Sequence, residues 1–483
     1  MGNEIKSGAA WLFTGNLLSR VMNMASMIVL ARLLVPSDFG LIALANVTWE
    51  LLAVFFSSGL LVVIVQARED TEEFYNTAFL ISLTLNLMLV AAAVMLAPLA
   101  ASYYHSPDLV PVLRLLAATY AFNSLSQVQV AKLKRELRFD VVSRVGIANQ
   151  FADSLGMMVM AFMGAGYWSL VIPKLALAPI VTLFYFFLSD WRPGLKFSRR
   201  HAGEIVLLSF KLLLTNLLNY VNMNADFQIV GKLLGQTQLG LYRFAYNLAQ
   251  WPIMNVTSLI NNLSLPYFAG LRDQPEYLRT QYLKMTRISS ITVFPIFIGA
   301  AMVAPSALPL VFGPQWAPSI IPFQLICLFG LLRSVGSPGG SLFLSHGRAG
   351  TVLLFNFFQA PILIAGLLYG VNWGINGIAL LSLAVLGAGS FVFIHLALRA
   401  FNIGRLAMIQ AVEPALVSVS AMATLVYLIR LIIPSSSWIS LASQVLIGGV
   451  VYVLIMRLHQ NAWTEYLELG RGAVKGLMRK DTI

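Results

Sequence analysis

Charge and cysteine are what this chain has least of. Only 11% of its 483 residues are Asp, Glu, Lys or Arg, against about 25% in an ordinary soluble protein. Hydrophobic residues make up 58%, and the mean hydropathy is +0.78, so too little polar surface exists to wrap a soluble molecule of this length. The single cysteine, Cys327, excludes an internal disulfide. The five histidines, His105, His201, His346, His395 and His459, are scattered, and no GxxxxGK[ST], CxxC or HExxH occurs. Neither a nucleotide-phosphate loop nor a metal site is expected, and no cofactor is implied. The strict alternation of a transmembrane barrel is also missing, because runs such as 87–101 are continuously apolar.

What is present is one long apolar run after another. The expected fold class is therefore an all-α polytopic membrane protein, since only helices satisfy their own backbone in lipid when no barrel closes. Crossing a bilayer takes about 20 apolar residues. Runs read against their breaks predict 14 spans, near 9–34, 40–65, 75–100, 110–130, 142–163, 168–189, 205–232, 239–266, 288–311, 318–334, 350–370, 374–398, 409–432 and 439–456. Val35-Pro36-Ser37-Asp38, His105-Ser106-Pro107-Asp108 and Phe312-Gly313-Pro314-Gln315 are turn chemistry and support the breaks. Between 318 and 350 the pattern is interrupted by Pro322, Pro338, Gly339 and Gly340.

The chain nearly repeats itself at an offset of 200 residues. Asn16-Leu17-Leu18 returns as Asn216-Leu217-Leu218, Val21 as Val221, Ala25 as Ala225, Leu33-Leu34 as Leu233-Leu234, Gly40-Leu41 as Gly240-Leu241 and Ala45 as Ala245, while Arg32 becomes Lys232. Ten identities in 30 ungapped positions suit an old duplication, the usual construction of a transporter. Six crossings separate the repeats, so both enter the membrane in the same direction. Two parallel six-helix lobes related by a pseudo-two-fold axis are expected, at 1–200 and 201–402, with two additional helices and a tail at 403–483.

Basic residues fix the expected orientation. Loops on one side hold 22 of the 32 Lys and Arg residues, and the loops at 35–39, 101–109, 164–167, 233–238, 312–317, 371–373 and 433–438 hold none. Both termini are expected in the cytoplasm. The net charge of +12 is explained by this asymmetry and by anionic lipid headgroups, with no nucleic acid required. Outer loops of a few residues offer no platform for a glycosyltransferase or polymerase active site. The chain reads as a non-enzyme whose work is driven by a gradient.

Chemistry must then lie with the charges left at membrane depth, where each costs about 2.5 to 3.5 kcal/mol on insertion scales. Arg20 stands midway through the first span, sharing one face with Asn16, Ser19, Asn23 and Ser26. Its counterpart is a ribbon in span seven: Lys211, Thr215, Asn219, Asn222 and Asp226 fall within about 80 degrees of one another and run about 22 Å along the helix. The alternative to a hydrated wall is polar glue between helices. Lys174, Arg243 and Arg333 are further candidate cationic groups at depth, and Asp153, Asp226 and Glu50 are candidate coupling-ion groups.

Two segments carry a resemblance. Ser19-Arg20-Val21 through Ala31-Arg32-Leu33-Leu34, followed by Pro36-Ser37-Asp38-Phe39-Gly40, resembles the first-span signature of the polysaccharide-exporting branch of the multidrug/oligosaccharidyl-lipid/polysaccharide (MOP) flippase superfamily. Asn224-Ala225-Asp226, the stretch from Ile229 to Gly235, and Leu239-Gly240-Leu241-Tyr242 are similar to that branch's seventh and eighth spans. The resemblance implies a Wzx-type flippase of the bacterial inner membrane. Such a protein moves undecaprenyl-diphosphate-linked oligosaccharide from the cytoplasmic to the outer leaflet for exopolysaccharide, O-antigen or capsule.

In related lipid II flippases an arginine in the matching Ser-Arg-Val segment meets the lipid diphosphate, which implies that role for Arg20. This chain departs at Ser26, where those relatives carry another arginine. The expected diphosphate-binding set is Arg20, Lys174, Lys211, Arg243 and Arg333, and the expected sugar-contacting set is Asn16, Ser19, Asn23, Thr215, Asn219 and Asn222. Coupling to H+ or Na+ is expected, with membrane lipids and a polysaccharide polymerase or co-polymerase as candidate partners. The rival readings are a cation-coupled drug or metabolite exporter of the same superfamily and a non-transporting assembly scaffold.

Overall fold

The structure is a computed structural model that describes residues 2–56, 71–194, 196–252, 258–433, 437–460 and 462–467; the side chains of 2–17, 56, 200–201, 204–215, 251–252 and 258–263 lie outside that description. Every regular element among the described residues is helical. In chain order they are α1 (Gly2–Leu33), α2 (Pro36–Phe56), α3 (Glu72–Tyr104), α4 (Leu109–Leu125), α5 (Gln127–Arg135), α6 (Phe139–Phe162), α7 (Ile172–Leu188) and α8 (Arg199–Leu233), then α9 (Gln236–Pro252), α10 (Ser258–Ala269), α11 (Pro275–Ala307), α12 (Ile320–Ser345), α13 (Ala349–Gly370), α14 (Gly374–Ala400), α15 (Arg405–Ile432) and α16 (Trp438–Leu458). The chain divides into two compact units, Met1–Arg243 and Phe244–Ile483.

Eight stretches of the described residues are long and apolar enough to cross a bilayer, or nine if the bent pair α4–α5 is one span, where the sequence predicts 14. One of the eight, 349–400, carries two helices, α13 and α14, joined by a 3-10 turn at Val371–Trp373. For three of the remaining spans the difference has a physical cause, and the expected span at 239–266 includes 253–257, which lie outside the described residues. Helices α1, α6 and α8 are 32, 24 and 35 residues long, long enough for a hydrocarbon core of about 30 Å, but polar side chains at depth dilute their apolar content. Those polar stripes keep them from reading as plain lipid-spanning helices.

In the first unit, α3 starts on Thr71, whose side chain accepts from the Phe74 amide at 3.3 Å, and carries Glu72 and Glu73 where the helix dipole favours acid. The segment after α7 is tied back onto that end. The Gly194 amide donates to Asn76 Oδ1 at 2.7 Å and the Ser198 amide to Thr77 Oγ1 at 2.9 Å. Trp191 is buried against Tyr75 and Phe79, with ring centroids 6.1 and 5.9 Å away. The approach to α8 is therefore anchored on α3, while α1 packs along α6 and α2 packs on both α3 and α8.

In the second unit, α11 is the central helix, contacting α12, α15 and α16. Two hydrogen bonds hold the last helix, α16, on it: Tyr452 Oη donates to the Ile291 carbonyl at 2.7 Å, and Gln444 Nε2 to Ser306 Oγ at 3.2 Å. The interruptions expected after 318 do not break the chain, because α12 runs unbroken from Ile320 to Ser345 with Pro338 inside it. Pro322 sits in the first turn, where no backbone donor is needed. Gly330 admits the ring of Phe297 so closely that a Cβ would overlap it. The outward faces of α15 and α16 carry exposed Leu431, Ile432, Ile439, Leu446 and Leu458, the arrangement a helix needs against lipid.

Candidate functional site

Polar side chains gather in the first unit along two lines, the α1–α6 seam and the C-terminal half of α8. On α1, Arg20 and Asn23 are exposed, Ser19 is half-buried and Ser26 is buried. Arg20 makes no ion pair or hydrogen bond among the described residues. Gln150 of α6 donates through Nε2 to Asn23 Oδ1 at 2.8 Å, and the same nitrogen lies 3.1 Å from Ser154 Oγ. Ser26 turns inward on its own helix, its hydroxyl donating to the Asn23 carbonyl at 3.0 Å. The seam therefore offers amide and hydroxyl groups with spare capacity beside an exposed guanidinium, a set that suits sugar hydroxyls and phosphate oxygens.

Asp153 lies one turn beyond Gln150 on α6. Its Oδ1 is buried without a hydrogen-bond partner, and the exposed Lys174 of α7 is the cation within electrostatic reach of it. The sequence names both residues separately; the fold brings them within electrostatic reach of each other.

The ribbon of α8 is not uniform. Asn219 is exposed, Asn222 is half-buried with Oδ1 lacking a partner, and Asp226 is half-buried with both carboxylate oxygens in use. The Phe227 amide donates to Asp226 Oδ1 at 2.9 Å and Tyr242 Oη to Oδ2 at 3.0 Å. Arg243 places its guanidinium over the Phe227 ring, 4.2 Å from the centroid, within electrostatic reach of Asp226. Asp226 is thus the centre of a small ionic and aromatic cluster.

Glu50 of α2 is half-buried beside Tyr120 and Tyr220. Arg333 lies half-buried on α12 of the second unit and makes no ion pair among the described residues. The side chains of Asn16, Lys211 and Thr215 lie outside the described residues.

Sequence reading missed Gln150, Tyr220, Gln228 and Tyr242. Gln150 carried a signal, since Gln150, Asp153 and Ser154 fall at i, i+3 and i+4 in an otherwise apolar helix. The tyrosines carried none, because an aromatic in an apolar run is indistinguishable from packing until its hydroxyl finds a partner.

Comparison with known proteins adds three findings. The model of the family described as "Polysaccharide biosynthesis protein" matches residues 29–321. Among curated relatives, the lipopolysaccharide biosynthesis protein WzxC of Escherichia coli (strain K12) is 29% identical over 371 residues, covering 75% of this chain and 74% of that one. Among solved structures, the lipid II flippase MurJ in its inward closed conformation superposes with a TM-score of 0.71 at 14% identity, over 93% of this chain and 99% of that one. An inward-facing multidrug resistance MATE family transporter of the MOP superfamily gives 0.64 at 16% identity, over 80% and 94%. The two structural matches share the all-α membrane fold.

Proposed function

The chain belongs to the polysaccharide biosynthesis protein family, and from that premise we propose that it is a Wzx-type flippase of the MOP superfamily, a transporter and not an enzyme. It moves undecaprenyl-diphosphate-linked oligosaccharide from the cytoplasmic to the outer leaflet of the bacterial inner membrane by alternating access. What supports the substrate class is its curated relative in lipopolysaccharide biosynthesis together with one observation: Arg20 stands exposed midway along α1, with no ion pair or hydrogen bond among the described residues, beside the Asn23–Gln150 amide pair. A guanidinium held at that depth needs an anion, and its planar fork matches diphosphate oxygens. The surplus of basic over acidic candidates favours this substrate over the cationic drugs of an exporter.

In the same proposal, the 14 spans form six-helix lobes at 1–200 and 201–402, followed by two helices and a tail at 403–483, with both termini cytoplasmic. Arg20, Lys174, Lys211, Arg243 and Arg333 meet phosphate during the cycle. Asn16, Ser19, Asn23, Thr215, Asn219 and Asn222 meet sugar, and the prenyl tail stays in lipid. H+ or Na+ acts through Asp226, Asp153 or Glu50, and a polymerase or co-polymerase receives the product.

Surface-polysaccharide export in a strain lacking the chromosomal copy is the measurement. Arg20→Ala lowers export about tenfold to a hundredfold, the scale of one charge-assisted contact, and full export by that variant removes the assignment. For coupling, Asp226→Asn abolishes the dependence of transport on the ion gradient; gradient-driven transport that survives the change clears Asp226 of the role.

A further inference from the structure

The two ends of the second unit differ in charge. The turns at 312–317, 371–373 and 433–438 contain no Lys or Arg, whereas the turns at 271–279, 345–349 and 399–405 contain five arginines against two acids, Asp273 and Glu276. Loop charge of this sense faces the cytoplasm. The fold ties three of those arginines to one place.

Helices α12 and α14 end alike. Gly347 and Asn402 both take a left-handed φ, 71° and 52°, and the amides that follow, of Arg348 and Ile403, close on the Phe343 and Leu398 carbonyls at 2.9 and 2.8 Å. Each end still leaves a carbonyl to be satisfied from outside the helix. Arg272, in the turn before α11, donates through Nε to the Ser345 carbonyl at 2.5 Å, and Arg279 of α11 donates through Nε to the Phe401 carbonyl at 3.0 Å. Arg348 lies over the Phe401 ring with Cζ 5.3 Å from its centroid, and the His346 ring makes an edge contact with the same ring at 4.9 Å. Beneath the three turns Phe268, Leu278, Leu342, Leu398 and Ile403 belong to one buried cluster, which fixes the turns against one another.

These contacts use only part of each guanidinium. Arg279 gives Nη1 to Glu276 Oε1 at 2.5 Å. Arg272 makes no hydrogen bond or ion pair through its Nη groups among the described residues, and Arg348 makes none through any nitrogen. Both are exposed. Two guanidinium forks therefore stand oriented by the fold with donors open, the arrangement that phosphate oxygens fit. Apolar side chains border them, since Leu344, Leu396, Leu406 and Ile409 are exposed at the same helix ends. A soluble polyanion has no use for that border, whereas a lipid lays its chain along it. Among lipids, a diphosphate engages two forks more fully than a single phosphodiester does.

We infer that this end of the second unit is a loading site: at the cytoplasmic surface, Arg272 and Arg348 take the diphosphate of the polyprenyl-linked substrate before it enters the transport path. The loading site rests on the flippase reading and adds to it a surface separate from the α1–α6 seam.

The test is the binding of undecaprenyl diphosphate to the full chain in phosphatidylcholine nanodiscs, read by native mass spectrometry in an Arg20→Ala background so that the α1 site does not contribute. Combining Arg272→Ala with Arg348→Ala weakens binding roughly thirtyfold, at about fivefold for each arginine. Arg348→Ala alone, which removes no hydrogen bond among the described residues, weakens it about fivefold and serves if the double variant fails to fold. Arg192→Ala removes an exposed arginine of the first unit that donates to the Ser189 and Trp191 carbonyls; it leaves affinity unchanged and controls for net charge. Unchanged affinity in Arg348→Ala, or an equal loss in Arg192→Ala, overturns the loading site. Phosphatidylglycerol that binds as tightly as undecaprenyl diphosphate overturns the substrate assignment, and inorganic diphosphate that competes as tightly overturns the lipid one. Failure of the flippase reading shows separately, as a native chain unable to restore export.

Discussion

Helices α1 and α8 carry the two copies of the 200-residue repeat, and they use the same positions differently. Where α1 carries Arg20, exposed and unpaired among the described residues, α8 carries Tyr220, 8% exposed and hydrogen-bonded to the Val47 carbonyl. Where α1 carries Ser26, satisfied by its own backbone, α8 carries Asp226, satisfied by Tyr242 from the next helix. Shared Leu and Gly positions kept the scaffold while the polar positions diverged. The first repeat leaves Arg20 and Asn23 exposed, and the second spends Tyr220 and Asp226 on contacts with neighbouring helices.

That contrast can be broken by exchanging its terms. The largest effect is expected from Tyr220→Arg, which puts an unpaired charge where α8 is packed. A cost of about 3 kcal/mol, the insertion scale for a helix centre, lowers the yield of folded protein in the membrane by about a hundredfold, read by fluorescence-detected size-exclusion chromatography. If the variant folds normally, the Tyr220 position is as open as Arg20 and the contrast fails.

A smaller effect sharpens the comparison. Tyr220→Phe keeps the ring and removes two hydrogen bonds at once, to Val47 and from Gln228, and lowers thermal stability in detergent by about 1 kcal/mol, at roughly 0.6 kcal/mol per interhelical bond. Export is retained, whereas Arg20→Ala loses export and keeps stability. The smallest effect belongs to Ser26→Ala. Its hydroxyl serves only the Asn23 carbonyl of the same helix, so unfolding shifts by less than about 0.5 kcal/mol, and export is unchanged.

The candidate site was legible to the extent that its residues are chemically out of place. Arg20, Asp153, Lys174 and Asp226 announce themselves because a charge in an apolar run needs a reason, and the repeat gave the comparison between α1 and α8 before any coordinates. Their partners were not legible. Gln150 and Asn23 are 127 positions apart in the chain and Tyr104 and Gln228 are 124 apart, and no local pattern encodes such pairings. The span count differs for a related reason: hydropathy registers what a segment offers to lipid, and α1, α6 and α8 turn part of their surface to something else.

Composition by itself determined that this is an all-helical membrane chain, because 58% hydrophobic residues in unbroken runs leave a backbone no other way to satisfy its hydrogen bonds in lipid. The repeat determined that two similar segments exist. Only the tertiary structure decided which polar groups were free, since a side chain's availability depends on what the fold brings within about 3 Å of it. Arg20 and Tyr220 differ by one substitution in an aligned repeat; neighbours, not sequence position, made one of them exposed and the other a strut.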